Sequence, residues 1–101
     1  MIGREYEPFI IAEMSGNHNN SLERALSLVD VAADADVDAI KLQTYTPDTI
    51  TLDIRESEFV INDTNSIWHG KSLYDLYSEG STPWSWHQDI FEAAKKRGLI
   101  C

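Results

Sequence analysis

Glu13, Asn17, His18, Lys41 and Gln43 are the side chains whose types and spacing allow chemistry in this sequence. A carboxylate moves protons, an ammonium fixes an anion or condenses with a carbonyl, and carboxamide and imidazole groups orient polar substrates. The first three fall in Phe9-Ile10-Ile11-Ala12-Glu13-Met14-Ser15-Gly16-Asn17-His18-Asn19, where an apolar strand pattern runs directly into polar residues. On the period of two that governs strands, Phe9, Ile11, Glu13 and Ser15 share a face, so the carboxylate ends a face that is otherwise apolar. Such a carboxylate is expected to be partly withdrawn from water, a condition that suits it to proton transfer. Lys41 and Gln43 come late in Val37-Asp38-Ala39-Ile40-Lys41-Leu42-Gln43-Thr44. There Val37, Ala39, Lys41 and Gln43 share one face, and Ile40 and Leu42 the other.

These residues need a scaffold that brings two strand ends together. Between the strands, Asn20-Ser21-Leu22-Glu23 has the form of a capping box, with Asn20 as the cap and Glu23 reaching back. Leu22, Ala25, Leu26, Val29 and Ala32 or Ala33 follow at helical spacing, with Glu23, Arg24, Asp30 and Asp34 toward water, and the helix ends near Ala35-Asp36. Strand, helix, strand is a βαβ unit, whose crossover requires parallel strands. Both strands are apolar or small early and reactive late, so Glu13 and Lys41 converge on the C-terminal rim, where α/β sheets and barrels bind ligands. Taken alone, each residue keeps a plainer reading. Glu13 could be a solvated carboxylate, Lys41 an aldolase-type Schiff base, and His18 a satisfied loop histidine.

Periodicity is lost over residues 45–81, a length more often functional than idle. A short hairpin is expected around Glu58-Phe59-Val60-Ile61. Ser72 caps a helix that buries Leu73, Leu76 and Tyr77 and stops at Gly80. Thr82-Pro83 opens the next helix, Thr82 as cap, with Trp86, Ile90, Phe91 and Ala94 as its buried stripe and His87 structural. Trp68, Trp84 and Trp86 read as core and loop packing rather than a sugar platform. Lys95-Lys96-Arg97 complement the helix dipole, Gly98 fits a left-handed cap, and Leu99-Ile100-Cys101 starts a third strand.

Eight basic against seventeen acidic residues give a net charge of -9, which disfavours nucleic acid or an anionic membrane as the main partner. One cysteine excludes an internal disulfide, and the polar start, with Arg4, Glu5 and Glu7, is unlike a signal peptide. No apolar run is long enough to span a membrane, so a cytoplasmic chain is expected. The apolar end at Leu99-Ile100-Cys101 looks cut rather than finished.

The run from Ile10 through Asn19, with Ile40-Lys41-Leu42-Gln43-Thr44-Tyr45-Thr46-Pro47-Asp48, closely resembles the N-terminal part of the sialic acid synthase family. Members condense phosphoenolpyruvate with an amino sugar. Met14-Ser15, Ser66-Ile67-Trp68-His69-Gly70-Lys71-Ser72-Leu73-Tyr74-Asp75-Leu76-Tyr77 and Thr82-Pro83-Trp84-Ser85-Trp86-His87 resemble the pseudaminic acid synthase branch. Asp36 stands where the family usually has glycine, and His69 where lysine is expected.

The resemblance implies an α/β fold, a partial (β/α)8 TIM barrel in which residues 1–101 hold the first two βα units and the start of the third strand. The rest of the barrel and an antifreeze-like domain would lie outside the chain. The implied reaction joins phosphoenolpyruvate to 2,4-diacetamido-2,4,6-trideoxy-L-altrose, giving pseudaminic acid and phosphate, with N-acetylneuraminate or legionaminate synthesis as the alternative. Glu13 and Lys41 would be catalytic, Lys41 holding phosphoenolpyruvate, while Asn17, His18, Gln43 and Thr44 would bind substrate. A divalent metal (Mn, Mg or Co) would be held by histidines outside this chain, so no ligand is assigned here. The full-length enzyme would be a homodimer, and the 101-residue piece inactive alone. The reading from another class is a non-catalytic α/β ligand-binding module.

Overall fold

The computed structural model describes residues 2–101; Met1, the first residue of the expected 1–101 unit, lies outside the described residues. In chain order come strand β1 (Ile11–Met14), helix α1 (Leu22–Asp34), strand β2 (Ala39–Leu42), a short helix α2 (Pro47–Ile50), α3 (Leu73–Gly80) and α4 (His87–Lys96). Single 3-10 turns occupy Gly16–His18, Ser57–Phe59 and Trp84–Trp86. β1 and β2 pair in parallel, with Ile11 opposite Ala39, Ala12 opposite Ile40, Glu13 opposite Lys41 and Met14 opposite Leu42. The start of this register is tied by Asp38, whose carboxylate accepts from the Ile10 amide at 2.7 Å while its own amide donates to the Ile10 carbonyl at 2.9 Å. The expected third strand begins on the other side of β2, through a parallel bridge of Ile100 to Ala39.

Alternation divides the sheet into two faces. Met14 and Ile40 turn toward the helices and are buried, whereas Ile11 and Lys41 turn the other way and stay exposed. α1 covers the inner face with Ala25, Val29 and Ala32, and α4 adds Ile90 and Ala94 to the same core. Full burial of side chains such as Val29 and Ile90 contributes about 1.5–3 kcal/mol each before chain entropy is counted. Arg97 clamps α4 to α1 by donating to Asp30 at 2.9 Å and also to Asp34. Gly98, at φ 74, closes α4 in the left-handed cap expected of it; its amide donates to the Lys95 carbonyl, and the Leu99 amide to the Ala94 carbonyl.

Several local features differ from those expected of the sequence. The cap of α1 is Ser21, whose hydroxyl accepts from the Arg24 amide at 3.2 Å, and not Asn20. A cap residue needs an extended backbone, which Ser21 has, whereas Asn19 and Asn20 are left-handed at φ 47 and 56. Glu58 and Phe59 lie in a 3-10 turn rather than a hairpin; Val60 instead bridges antiparallel to Ser72, well downstream. Ser72 does cap α3, accepting from the Asp75 amide at 3.1 Å, though Leu73, Leu76 and Tyr77 are half-buried rather than buried. Thr82 caps no helix, because Pro83 is extended at ψ 138 and the chain first makes the 3-10 turn at Trp84–Trp86. Phe91 leaves the buried stripe of α4 and is 47% exposed, its ring set against His87 at 5.6 Å. Trp84 is also exposed, stacked on His87 instead of packed in the core.

Asp36 follows α1 at φ 57, a left-handed conformation that favours glycine. Asp36→Gly is expected to raise stability by up to about 1 kcal/mol, read as a higher urea midpoint. A lower midpoint would mean that the aspartate side chain contributes more than its backbone costs.

Candidate functional site

At the C-terminal end of the sheet the outward face carries two cross-strand pairs, one above the other. Glu13 and Lys41 stand opposite each other in register, and Lys41 Nζ donates to Glu13 Oε1 at 2.9 Å. One step further along, Gln43 Nε2 donates to Ser15 Oγ at 3.1 Å. The period of two in each strand and the parallel register together put these four side chains on one face. The expected withdrawal of Glu13 from water is not observed, since the Glu13 and Lys41 side chains are 50% and 60% exposed. Phe9 and Ile11, on the same face, are exposed as well, whereas Ala39 between them and Lys41 is buried.

The turn after β1 separates the other two predicted residues. Asn17 is exposed at the rim, and its Oδ1 accepts from the Ser15 amide at 3.1 Å, which orients the residue that meets Gln43. His18 is fully buried beneath the turn, edge-on to Trp86 with ring centres 5.1 Å apart. Its Nδ1 accepts from the Asn20 amide at 3.0 Å, so the ring proton resides on Nε2. Burial pushes the imidazole below its usual pKa, partly opposed by the Gly80 backbone carbonyl. Gly16 permits this packing because a Cβ there would come within 3.3 Å of the Gly80 Cα. His18 therefore shapes the rim from below and does not share the open face.

Thr44 follows β2 on the helix side. Its hydroxyl lies 2.6 Å from His87 Nε2, while His87 Nδ1 lies 2.9 Å from the Trp84 carbonyl. A carbonyl only accepts, so His87 donates from Nδ1 to Trp84, and in the neutral ring Nε2 accepts from the Thr44 hydroxyl. The structure thus groups Glu13, Lys41, Gln43 and Asn17 at the rim, and sets Thr44 apart with His87. Ser15 joins the group through Gln43; its place on the Glu13 face was the available signal. The long connection also reaches the rim, since the Thr82 amide donates to the Gln43 carbonyl at 2.9 Å. Trp68 and Arg24 face Ser15 and Asn17 across a polar cleft of about 490 Å³.

Chemically, the face offers a cation for an anionic ligand, a carboxylate within reach of it, and hydroxyl and carboxamide groups for polar substituents. Among the described residues no three His, Cys, Asp or Glu side chains come together as a metal-binding group. No helix among the described residues is long and apolar enough to cross a membrane.

A family model described as the NeuB family matches residues 28–101. Pseudaminic acid synthase of Campylobacter jejuni serotype O:2 is 47% identical over 93 residues, which cover 92% of this chain and 26% of that protein. Pseudaminic acid synthase of Helicobacter pylori is 42% identical over 92 residues, 91% of this chain and 26% of that protein. The chain thus spans about a quarter of the length of these curated relatives. Among solved structures, the N-acetylneuraminic acid (sialic acid) synthetase of Leptospira borgpetersenii, in complex with citrate, matches 98% of this chain and 31% of its own with a TM-score of 0.72. At 24% identity, that likeness speaks for the fold. The spore coat polysaccharide biosynthesis protein SpsE of Bacillus subtilis matches 98% of this chain and 24% of its own, with a TM-score of 0.61 and 26% identity.

An ion pair this exposed contributes about 0–1 kcal/mol to stability. Glu13→Gln and Lys41→Met should therefore each shift the unfolding free energy by less than about 1 kcal/mol in a urea titration. A loss of several kcal/mol in either variant would instead mark the pair as structural.

Proposed function

This chain belongs to the NeuB family, and from that membership we propose that the whole protein condenses phosphoenolpyruvate with an amino-sugar aldose, 2,4-diacetamido-2,4,6-trideoxy-L-altrose, to make pseudaminic acid and phosphate. Residues 1–101 would supply the first two βα units and the start of the third strand of a (β/α)8 barrel. The parallel bridge of Ile100 to Ala39 supports that continuation. The observation that carries the chemical reading is the Glu13–Lys41 pair, 2.9 Å apart in strand register on the open face of the C-terminal rim. The choice of pseudaminic acid rests on the similarity to two synthases of that product.

In this reading Lys41 exchanges its contact with Glu13 for the anionic phosphoenolpyruvate. Its fixed charge then stabilises both the bound anion and the departing phosphate. C3 of phosphoenolpyruvate attacks the aldehyde carbon of the open-chain sugar, water adds at C2, and the tetrahedral intermediate expels phosphate by C–O cleavage. Glu13, freed from Lys41, accepts or returns the proton that water addition requires. Gln43, oriented by Ser15, binds the sugar hydroxyls or the aldehyde oxygen, and Asn17 lines the rim beside them. The divalent metal would act with ligands outside this chain. A homodimer is the assembly proposed from the resemblance.

Phosphate release by the whole protein, with phosphoenolpyruvate and a panel of hexosamines, tests this reading. Release is expected with the diacetamido-altrose. Release with N-acetylmannosamine alone would overturn the product, and no release with any sugar would overturn the reaction. Lys41→Met should lower turnover by about 10²–10³ and Glu13→Gln by about 10². Borohydride should trap no adduct at Lys41; a stable adduct would make the lysine a Schiff-base nucleophile instead.

A further inference from the structure

We propose that His18 is the positioning residue of the rim: its neutral ring, accepting at Nδ1 from the Asn20 amide and set against Trp86, holds the turn between β1 and α1 so that Ser15 and Asn17 stay beside Gln43, and a proton on the ring releases that hold. The turn needs such a hold. Asn19 and Asn20 are consecutive left-handed residues, at φ 47 and 56, a conformation that asparagine tolerates singly but that is costly for two residues in succession. Two bonds from His18 offset this cost. Nδ1 takes the Asn20 amide at 3.0 Å, and the His18 carbonyl takes the Ser21 amide at 3.0 Å. Upstream, the same turn presents Asn17 Oδ1 to the Ser15 amide and Ser15 Oγ to Gln43. The ring thus acts on the open face through the backbone of the turn that carries Ser15 and Asn17, without touching that face.

The site favours a neutral ring. An imidazolium donates from both nitrogens, so protonation at Nδ1 would turn a hydrogen bond with the Asn20 amide into a clash of two donors. Among the described residues Nε2 makes no well-aligned hydrogen bond, and the Gly80 carbonyl opposes only part of the cost of burial, so the charge would be poorly compensated. Titratable groups on the packed elements are Glu23, Arg24, Asp30 and Asp34 of α1, and Tyr74, Asp75, Tyr77 and Glu79 of α3. Tyr45 lies near Gly80, and the turn at Trp84–Trp86 has no titratable side chain. None of these groups is among the influences that set the ring's titration, which are burial and the Gly80 carbonyl. The sign follows from the downward shift. The folded state prefers the neutral ring, so the hold is complete above the ordinary value of 6.5 and is lost as pH falls below it through the folded-state pKa.

This inference rests on the geometry of the turn and stands apart from the proposed reaction, so its test reads hydrogen exchange rather than turnover. In the whole protein, protection of the Asn20 amide, corrected for intrinsic rate, should fall about tenfold between about pH 7.5 and about pH 5.5. His18→Asn offers a side-chain oxygen to the amide two residues on and does not titrate, so it should keep the protection throughout. His18→Phe keeps a ring against Trp86 but offers no acceptor, so protection should be about tenfold lower already at the higher pH. Protection in the parent protein that does not change with pH would overturn the proposal, as would full protection in His18→Phe. If His18→Phe fails to fold, His18→Asn decides: a pH step that persists there belongs to another group and overturns the role of His18.

Discussion

Register between the two parallel strands governs where every reactive side chain goes. Because side chains alternate, a slip of one residue would turn Lys41 toward α1 and bring Leu42 or Ile40 out to face Glu13. Two features hold the register against such a slip. Asp38 binds the Ile10 backbone at the start of the pairing, and the buried Met14 and Ile40 pack beneath α1 and α4. The packing is the larger effect, since moving buried aliphatic side chains into water costs several kcal/mol while the exposed ion pair contributes about 1 kcal/mol or less. The core therefore positions Glu13 and Lys41, and their attraction to each other does little to hold the fold.

That imbalance suits a ligand site. A strong buried pair would have to be broken before Lys41 could meet an anion. A pair that is half in water exchanges partners at little cost, and a ligand phosphate offers Lys41 more charge than the single Glu13 carboxylate. The neighbouring Ser15–Gln43 bond is of the same kind, polar and accessible, so both pairs are stores of donors and acceptors in place before a ligand arrives. Beneath them lies a different regime, in which His18 is fully enclosed and each of its bonds is made to backbone.

Much of this was legible in the sequence because it depends on short-range periodicity. Alternation in residues 9–15 and 37–43 was enough to bring Glu13 and Lys41 to the same rim, and helical spacing picked out Ala25, Val29, Ile90 and Ala94 as core, with the choice between Ala32 and Ala33 left to the structure. What escaped depends on distant partners or on backbone angles. Asn20 and Ser21 are both good caps, and only the left-handed run at Asn19 and Asn20 decides between them. The connection over residues 45–81 is ordered by pairings that no local window reveals, such as Arg55 with Asp75, Tyr74 with Asp48 and the Thr82 amide with the Gln43 carbonyl. His18 was assigned to the site by its neighbours in sequence, yet Trp86 and the α3 end at Gly80 enclose it. His87, read as structural, is hydrogen-bonded to Thr44 just behind the rim.

The most direct measurement is the position of phosphoenolpyruvate in a crystal structure of the whole protein soaked with it. Lys41 Nζ is expected about 2.7–2.9 Å from an oxygen of the bound ligand, with Glu13 released from the lysine and on the same side of the sheet. Phosphoenolpyruvate bound elsewhere, with the Lys41–Glu13 contact intact, would contradict that placement.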